Sequence, residues 1–229
     1  MVADSPDTLY RFALVAMRAG LYEEANTTLQ AAVKLKSDNP AYFVALGNSW
    51  LRKPDLSYAE DAFRRALQLQ PDNPQTQMYL GYTLLEQKKY PEAREWLEKS
   101  LQGEKSVPET YYYLGQLSQE QSEDERAMDL FKKAIKLAPS YAFAHAALGS
   151  TYLRQRNYPM AQQELELSVK LDPGYARAHY DLAVLFARLK NEQRAAEEMQ
   201  IVEKLKNKSK GLLKEGDVSS EPRPPQPPR

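Results

Sequence analysis

The chain has 229 residues, 31 basic and 31 acidic side chains, and no cysteine. Balanced charge leaves no broad attraction to nucleic acid or to anionic membranes, and the missing cysteine excludes disulfides, thiolate metal sites and a cysteine nucleophile. No apolar run approaches the roughly 18 residues that span a bilayer, and residues 1–10 lack a signal peptide's basic and apolar regions; the expected compartment is the cytoplasm, with export only where an N-terminal signal is missing from this chain.

An alanine recurs every 34 residues, at Ala25, Ala59, Ala93, Ala127, Ala161 and Ala195. The frames are therefore 6–39, 40–73, 74–107, 108–141, 142–175 and 176–209, with no insertion, and they cover 204 of the 229 residues. Twelve residues before each alanine lies a small column, Ala13, Gly47, Gly81, Gly115, Gly149 and Ala183. A large apolar column precedes it (Phe12, Leu46, Leu80, Leu114, Leu148, Leu182), and another follows the alanine by four residues (Leu29, Phe63, Leu97, Phe131, Leu165, Met199). A fixed period in this range marks a repeat architecture, in which each unit buries its apolar face on its neighbours. Within a frame, apolar residues fall at three- and four-residue steps on both sides of a polar break, so each frame reads as two helices and a turn. Glycine at 115 and alanine at 127 let the two axes approach while Leu114 and Phe131 fill the space beside them.

In chain order, the first helix, around Leu9 to Ala19, is apolar on most of its circumference through Phe12, Leu14, Val15, Ala16 and Met17. A helix of that kind is normally buried, so the expectation is that an upstream segment, a partner or a second copy of the chain covers it. The second frame carries Pro54 in its turn, where the first has Gly20; near 103–108, Gly103 and Lys105 replace the apolar residue and proline that close other frames, which predicts a looser junction. Pro71, Pro139 and Pro173 stop the helices that precede them, and Asp72, Asn73 and Asp172 supply turn and cap chemistry. The last frame has Glu203 where the others have Val33, Leu67, Leu101, Ile135 and Val169, and with Glu197, Glu198, Lys204, Lys206 and Lys208 it reads as a polar cap. Residues 210–229 read as a disordered proline-rich tail. Pro224, Pro227 and Arg229 match the spacing of ligands for Src-homology-type domains, a match that often arises by chance.

The frames containing Leu46-Gly47-Trp50-Ala59-Phe63-Ala66-Pro71 and Leu148-Gly149-Tyr152-Tyr158-Ala161-Leu165-Pro173 resemble the tetratricopeptide repeat, a 34-residue helix-turn-helix unit. The resemblance extends over all six frames. It implies an all-α α-solenoid, a right-handed superhelix of antiparallel helix pairs, whose first helices line a concave groove for a peptide or protein.

By register with that family, the groove positions are Tyr10, Leu14 and Arg18; Val44, Asn48 and Arg52; Met78, Tyr82 and Glu86; Tyr112, Gln116 and Glu120; Ala146, Ser150 and Arg154; Tyr180, Val184 and Arg188. Tyrosines beside Asn and Gln suit peptide recognition, because rings give contact area and amides pair with an extended backbone. Any single tyrosine is better read as packing on adjacent helices. One column runs Arg18, Arg52, Glu86, Glu120, Arg154, Arg188, which would make a groove basic at both ends and acidic in the middle; ordinary solvated helix faces explain the same residues. Chaperone-binding members of the family use a lysine, asparagine and arginine clamp. Here the matching places hold Tyr10, Leu14, Tyr112 and Glu109, so no clamp is assembled.

His145 and His179 share one column with Phe43 and Tyr111, which family register places on the packing face, and no second ligand stands at metal spacing. The acidic pairs Glu23-Glu24 and Glu197-Glu198 read as solvated. No phosphate loop, His-Glu-x-x-His or Gly-x-Ser-x-Gly is present, so no enzyme, cofactor or metal is expected. The resulting reading is a protein-interaction scaffold binding a peptide or partner protein in its groove, without nucleic acid or membrane as partner. The alternative is self-assembly or docking through the first helix. Single-stranded RNA binding needs a basic groove, which Glu86 and Glu120 oppose.

Overall fold

A computed structural model describes residues 5–52, 56–103 and 107–214, with side chains to 208. Each frame is a helix pair: α1 (Pro6–Arg18) and α2 (Tyr22–Leu35), α3 (Pro40–Trp50) and α4 (Ser57–Leu69), α5 (Pro74–Glu86) and α6 (Tyr90–Ser100), α7 (Pro108–Glu120) and α8 (Asp124–Leu137), α9 (Ala142–Arg154) and α10 (Tyr158–Leu171), α11 (Ala176–Arg188) and α12 (Glu192–Lys214). The described residues contain no strand. From α1 to α6 and from α8 to α12 each helix packs on the next in sequence, which is the construction of an α-solenoid. Two compact units result, the first ending at Thr110 and the second beginning at Tyr111.

The first helices of four frames open on proline, at Pro6, Pro40, Pro74 and Pro108, where the missing N–H has no intrahelical partner to lose. Ser5, Asn39 and Asn73 cap three of them, the last accepting from the Thr76 amide at 2.9 Å. That proline column escapes a reading built on apolar periodicity. Asp172 turns the chain before α11 by accepting from the Gly174 amide at 2.9 Å.

A left-handed residue closes the turn inside the pair in five frames: Gly20, Lys88, Ser122, Arg156 and Lys190, with φ of 80°, 61°, 60°, 61° and 59°. The residue after each donates its amide to a carbonyl five positions back, as Lys89 does to Leu84 at 2.9 Å, so orphan carbonyls of the first helix are satisfied. In the second frame this column is Pro54, outside the described residues. A proline ring fixes φ near −65° and is barred from that conformation. The flanking helices accordingly stop at Trp50 and restart at Ser57, where the repeat would allow Arg52 and Leu56.

The core is the repeated columns. Ala25, Ala59, Ala93, Ala127 and Ala161 are wholly buried, as are Leu29, Phe63, Leu97, Phe131 and Leu165. A Cβ on Gly47 would lie 2.5 Å from the Phe63 ring, one on Gly81 2.6 Å from Leu97 Cγ, and one on Gly149 2.7 Å from Leu165 Cγ. These are overlaps, so glycine sets how closely the paired helices approach. α6 ends at Ser100, three residues before its counterparts, and Lys105 lies outside the described residues.

The two ends differ. On α12, Glu203 is exposed together with Glu197, Lys204, Lys206 and Lys208. The helix runs on to Lys214, five residues past the frame; the rest of the tail, Pro224, Pro227 and Arg229 included, lies outside the described residues. On α1, Ala13 and Ala16 pack on Ala25, Leu29 and Ala45, while Phe12 and Val15 are 57% and 62% exposed.

Candidate functional site

In the first unit a cavity of about 310 Å³ lies between α1, α3 and α5. Tyr10, Leu14, Val44 and Asn48 line it from the positions read off the repeat; Gln75 and Tyr79 line it from α5. None of its lining residues carries a formal charge. Tyr10 is half-buried, its ring 5.2 Å from Tyr42, whose hydroxyl donates to Asp7 Oδ1 at 2.5 Å. Gln75 Nε2 donates to the Tyr79 hydroxyl at 3.1 Å. Burial pushes the Tyr79 phenol up, against hydrogen bonds from Gln75 and Asn48 that favour its ionised form. The Asn48 side chain is thus tied to Tyr79, while its Oδ1 is buried without a hydrogen-bond partner among the described residues. An acceptor in that state costs its desolvation for as long as no donor reaches it.

Elsewhere in this unit Tyr82 is half-buried, and Arg18 and Glu86 are exposed. The Arg52 guanidinium sits 5.8 Å from the centre of the Tyr22 ring. Met78 is wholly buried and offers no surface.

In the second unit Tyr112 is only 2% exposed, its ring against Tyr113, Phe131 and Tyr141. Gln116 Nε2 donates to its hydroxyl at 3.1 Å. Met78, Tyr112 and the buried Ala146 occupy the first position of the groove triplets in interior frames, where adjacent helices cover it; the same position in the outer frames leaves Tyr10 half-buried and Tyr180 45% exposed. Met78 and Tyr112 are therefore packing residues and not groove wall. Ser150 donates to Asp181 of α11, and Arg177 Nε lies 3.3 Å from the same carboxylate. Burial holds the Asp181 carboxyl above the usual carboxylate range, against the opposing effects of Ser150, Arg177 and Arg154. Arg154 pairs with Asp124 at 2.6 Å. Glu120 and Arg188 are exposed, and Val184 is half-buried.

Gln75, Tyr79 and Asp181 were not legible as groove residues, since they fall outside the three positions taken from the repeat. A carboxylate at 181, in a column that holds Ala45, Tyr79, Tyr113 and Ala147 in the interior frames, was the available signal. The histidines are buried as the register implies, and among the described residues no group of three or more His, Cys, Asp or Glu side chains is placed to hold a metal. Glu198 corrects the solvated reading: it is half-buried and bonded to His179 Nδ1 at 2.6 Å. No described helix is long and apolar enough to cross a membrane.

Family models described as tetratricopeptide repeat match residues 10–74, 58–108 and 146–209, and a second such model matches 108–141. A search of curated proteins by sequence found no match. Among solved structures the chain is similar to the APC/C hetero-tetramer Cut9-Hcn1, at 17% identity over 94% of this chain and 43% of that one, with a TM-score of 0.82. It is similar to PilF of Pseudomonas aeruginosa at 21% identity over 92% and 97% of the two chains, TM-score 0.74. It is also similar to the human IFIT1 dimer with m7Gppp-AAAA, at 20% identity over 86% and 50%, TM-score 0.71. At these identities the likeness is one of fold. The chain spans half or less of the first and third of these relatives.

Proposed function

The chain belongs to the tetratricopeptide repeat family, and from that premise we propose that it holds an extended peptide segment of a partner protein across α1, α3 and α5, with an uncharged side chain in the cavity and a backbone N–H on Asn48. The tetratricopeptide solenoid is a non-catalytic scaffold fold that engages other protein chains, and this chain is such a scaffold. The buried, unpartnered Oδ1 of Asn48, a residue that lines a chargeless cavity, carries the more specific reading. A charged ligand side chain there would lose its hydration without gaining a partner. A phosphate backbone meets the same obstacle, so the RNA held by IFIT1 is not carried over to this site.

The test is selection of peptides from a random display library on the immobilised full chain, followed by affinity measurement of one selected peptide. Enrichment of uncharged apolar side chains, with Asn48→Ala weakening binding about five- to tenfold, is the expected result. Enrichment of acidic or basic peptides, or indifference to Asn48→Ala, would remove the proposal.

A second reading, self-association through α1, rests on the exposure of Phe12 and Val15. It predicts a mass that rises with concentration and becomes monomeric in Val15→Lys.

A further inference from the structure

The fourth position of the frames reads Leu9, Phe43, Gln77, Tyr111, His145 and His179. Of the four residues in it with a side-chain donor, Gln77, His145 and His179 stand in the three frames that follow a closing proline, and each reaches that proline's carbonyl; the fourth, Tyr111, stands in the frame that follows Lys105. Gln77 Nε2 donates to Pro71 O at 2.8 Å, His145 Nε2 lies 3.0 Å from Pro139 O, and His179 Nε2 lies 3.1 Å from Pro173 O. The bond ties the turn leaving one helix pair to the first helix of the next.

The histidine junctions add a second contact. His145 Nδ1 is 2.6 Å from Glu164 Oε2, and His179 Nδ1 is 2.6 Å from Glu198 Oε2. Nineteen residues after the fourth position the other frames have Thr28, Ala62, Trp96 and Leu130, so a carboxylate stands there only where a histidine faces it.

The consequence is a proton count. A carbonyl oxygen only accepts, and so does an ionised carboxylate. A ring bonded to both needs a hydrogen on each nitrogen; the equivalent neutral arrangement places one of the two hydrogens on the carboxyl. Either way the network holds one proton more than a neutral imidazole beside a carboxylate, and removing it breaks one of the two bonds. The glutamine junction has no such proton to lose.

We propose that His145, Glu164 and the Pro139 carbonyl form a proton-dependent latch, closed when the extra proton is held and opened as rising pH removes it, and that Gln77 on Pro71 is its pH-independent counterpart. The elements packed on α9 are α7, α8, α10 and α11. Of these, α10 supplies the one charge acting on the ring, Glu164, and the α8–α9 turn supplies the Pro139 carbonyl; no charge from α7, α8 or α11 acts on it among the described residues. Burial alone would lower the His145 value, and the bonds to Glu164 and Pro139 with the Glu164 charge overcome it, so the net direction is up. A raised histidine value means the stabilisation is complete below the ordinary value of about 6.5 and is lost as pH climbs through the folded value.

Hydrogen exchange on the full chain tests this with an internal reference. Amide protection at residues 142–146, divided by protection at 75–78 in the same molecule, is followed from about pH 6 to about pH 9. The expected ratio falls with rising pH, by at most about tenfold per pH unit for a single proton. In His145→Gln, which keeps a donor for Pro139, the ratio is expected to be flat. A constant ratio in the wild-type chain overturns the latch, and so does an unchanged decline in His145→Gln. The wild-type ratio decides the matter alone if the variant does not fold.

Discussion

The two units use the same packing columns and treat the polar groups on their first helices in opposite ways. In the first, Asn48 lines a cavity without charge and keeps a buried oxygen with no hydrogen-bond partner among the described residues. In the second, Tyr112 is built into a ring cluster, Ser150 is spent on Asp181, and Arg154 on Asp124. Equal backbones therefore differ in what they leave available. A polar group already satisfied inside the protein has little to gain from a ligand, whereas an unsatisfied one gains most of a hydrogen bond.

The strongest test of that comparison is the part claimed to be equal. Gly81→Ala in the first unit and Gly149→Ala in the second should each cost about 1–3 kcal/mol, read from denaturant midpoints, because the new methyl overlaps Leu97 or Leu165. A tolerated alanine in either unit would show that its helix pair is not held at contact distance.

The part claimed to differ is tested by truncation. Ser150→Ala should cost about 1–2 kcal/mol of stability by leaving Asp181 short of a donor, while Asn48→Ala should leave stability nearly unchanged and act on peptide affinity. Similar losses of stability from both would erase the distinction.

Asp181 itself has a pH signature. Burial raises its carboxyl value, so its contribution is most favourable when protonated, below the ordinary carboxylate range, and diminishes as pH rises through the raised value. Asp181→Asn should therefore gain about 1 kcal/mol at neutral pH and lose that advantage in acid, as urea titrations at the two pH values would record. The smallest effect belongs to the left-handed turn residues. Lys88→Gly and Arg156→Gly relieve a strained conformation but loosen the unfolded chain, for a net gain of about 0.5 kcal/mol each in thermal or denaturant unfolding.

Much of the scaffold is legible in residue type alone. The alanine and glycine columns name the helix contact because only small side chains fit there, and Glu203 marks an outer surface because a carboxylate in an otherwise apolar column is costly to bury without a partner. Groove membership is less legible, since whether the first position of a triplet is wall or core depends on neighbours on both sides; that is why Met78 and Tyr112 are buried while Tyr180 is exposed. The histidine–glutamate pairs were out of reach for another reason. Their nineteen-residue separation crosses a turn, and neither helix period nor short-motif spacing connects the two ends. Lys88, Ser122, Arg156 and Lys190 hide the left-handed column because three of them are long charged residues with no chemical preference for it.

That column also makes the chain its own ruler. Lys88, Arg156 and Lys190 are exposed and stand at turns, 68 and 34 residues apart, while helix backbone is shielded by its own hydrogen bonds. A brief digest with a protease that cuts after basic residues should release fragments whose lengths step by whole repeats, a ladder in which each rung counts intact helix pairs.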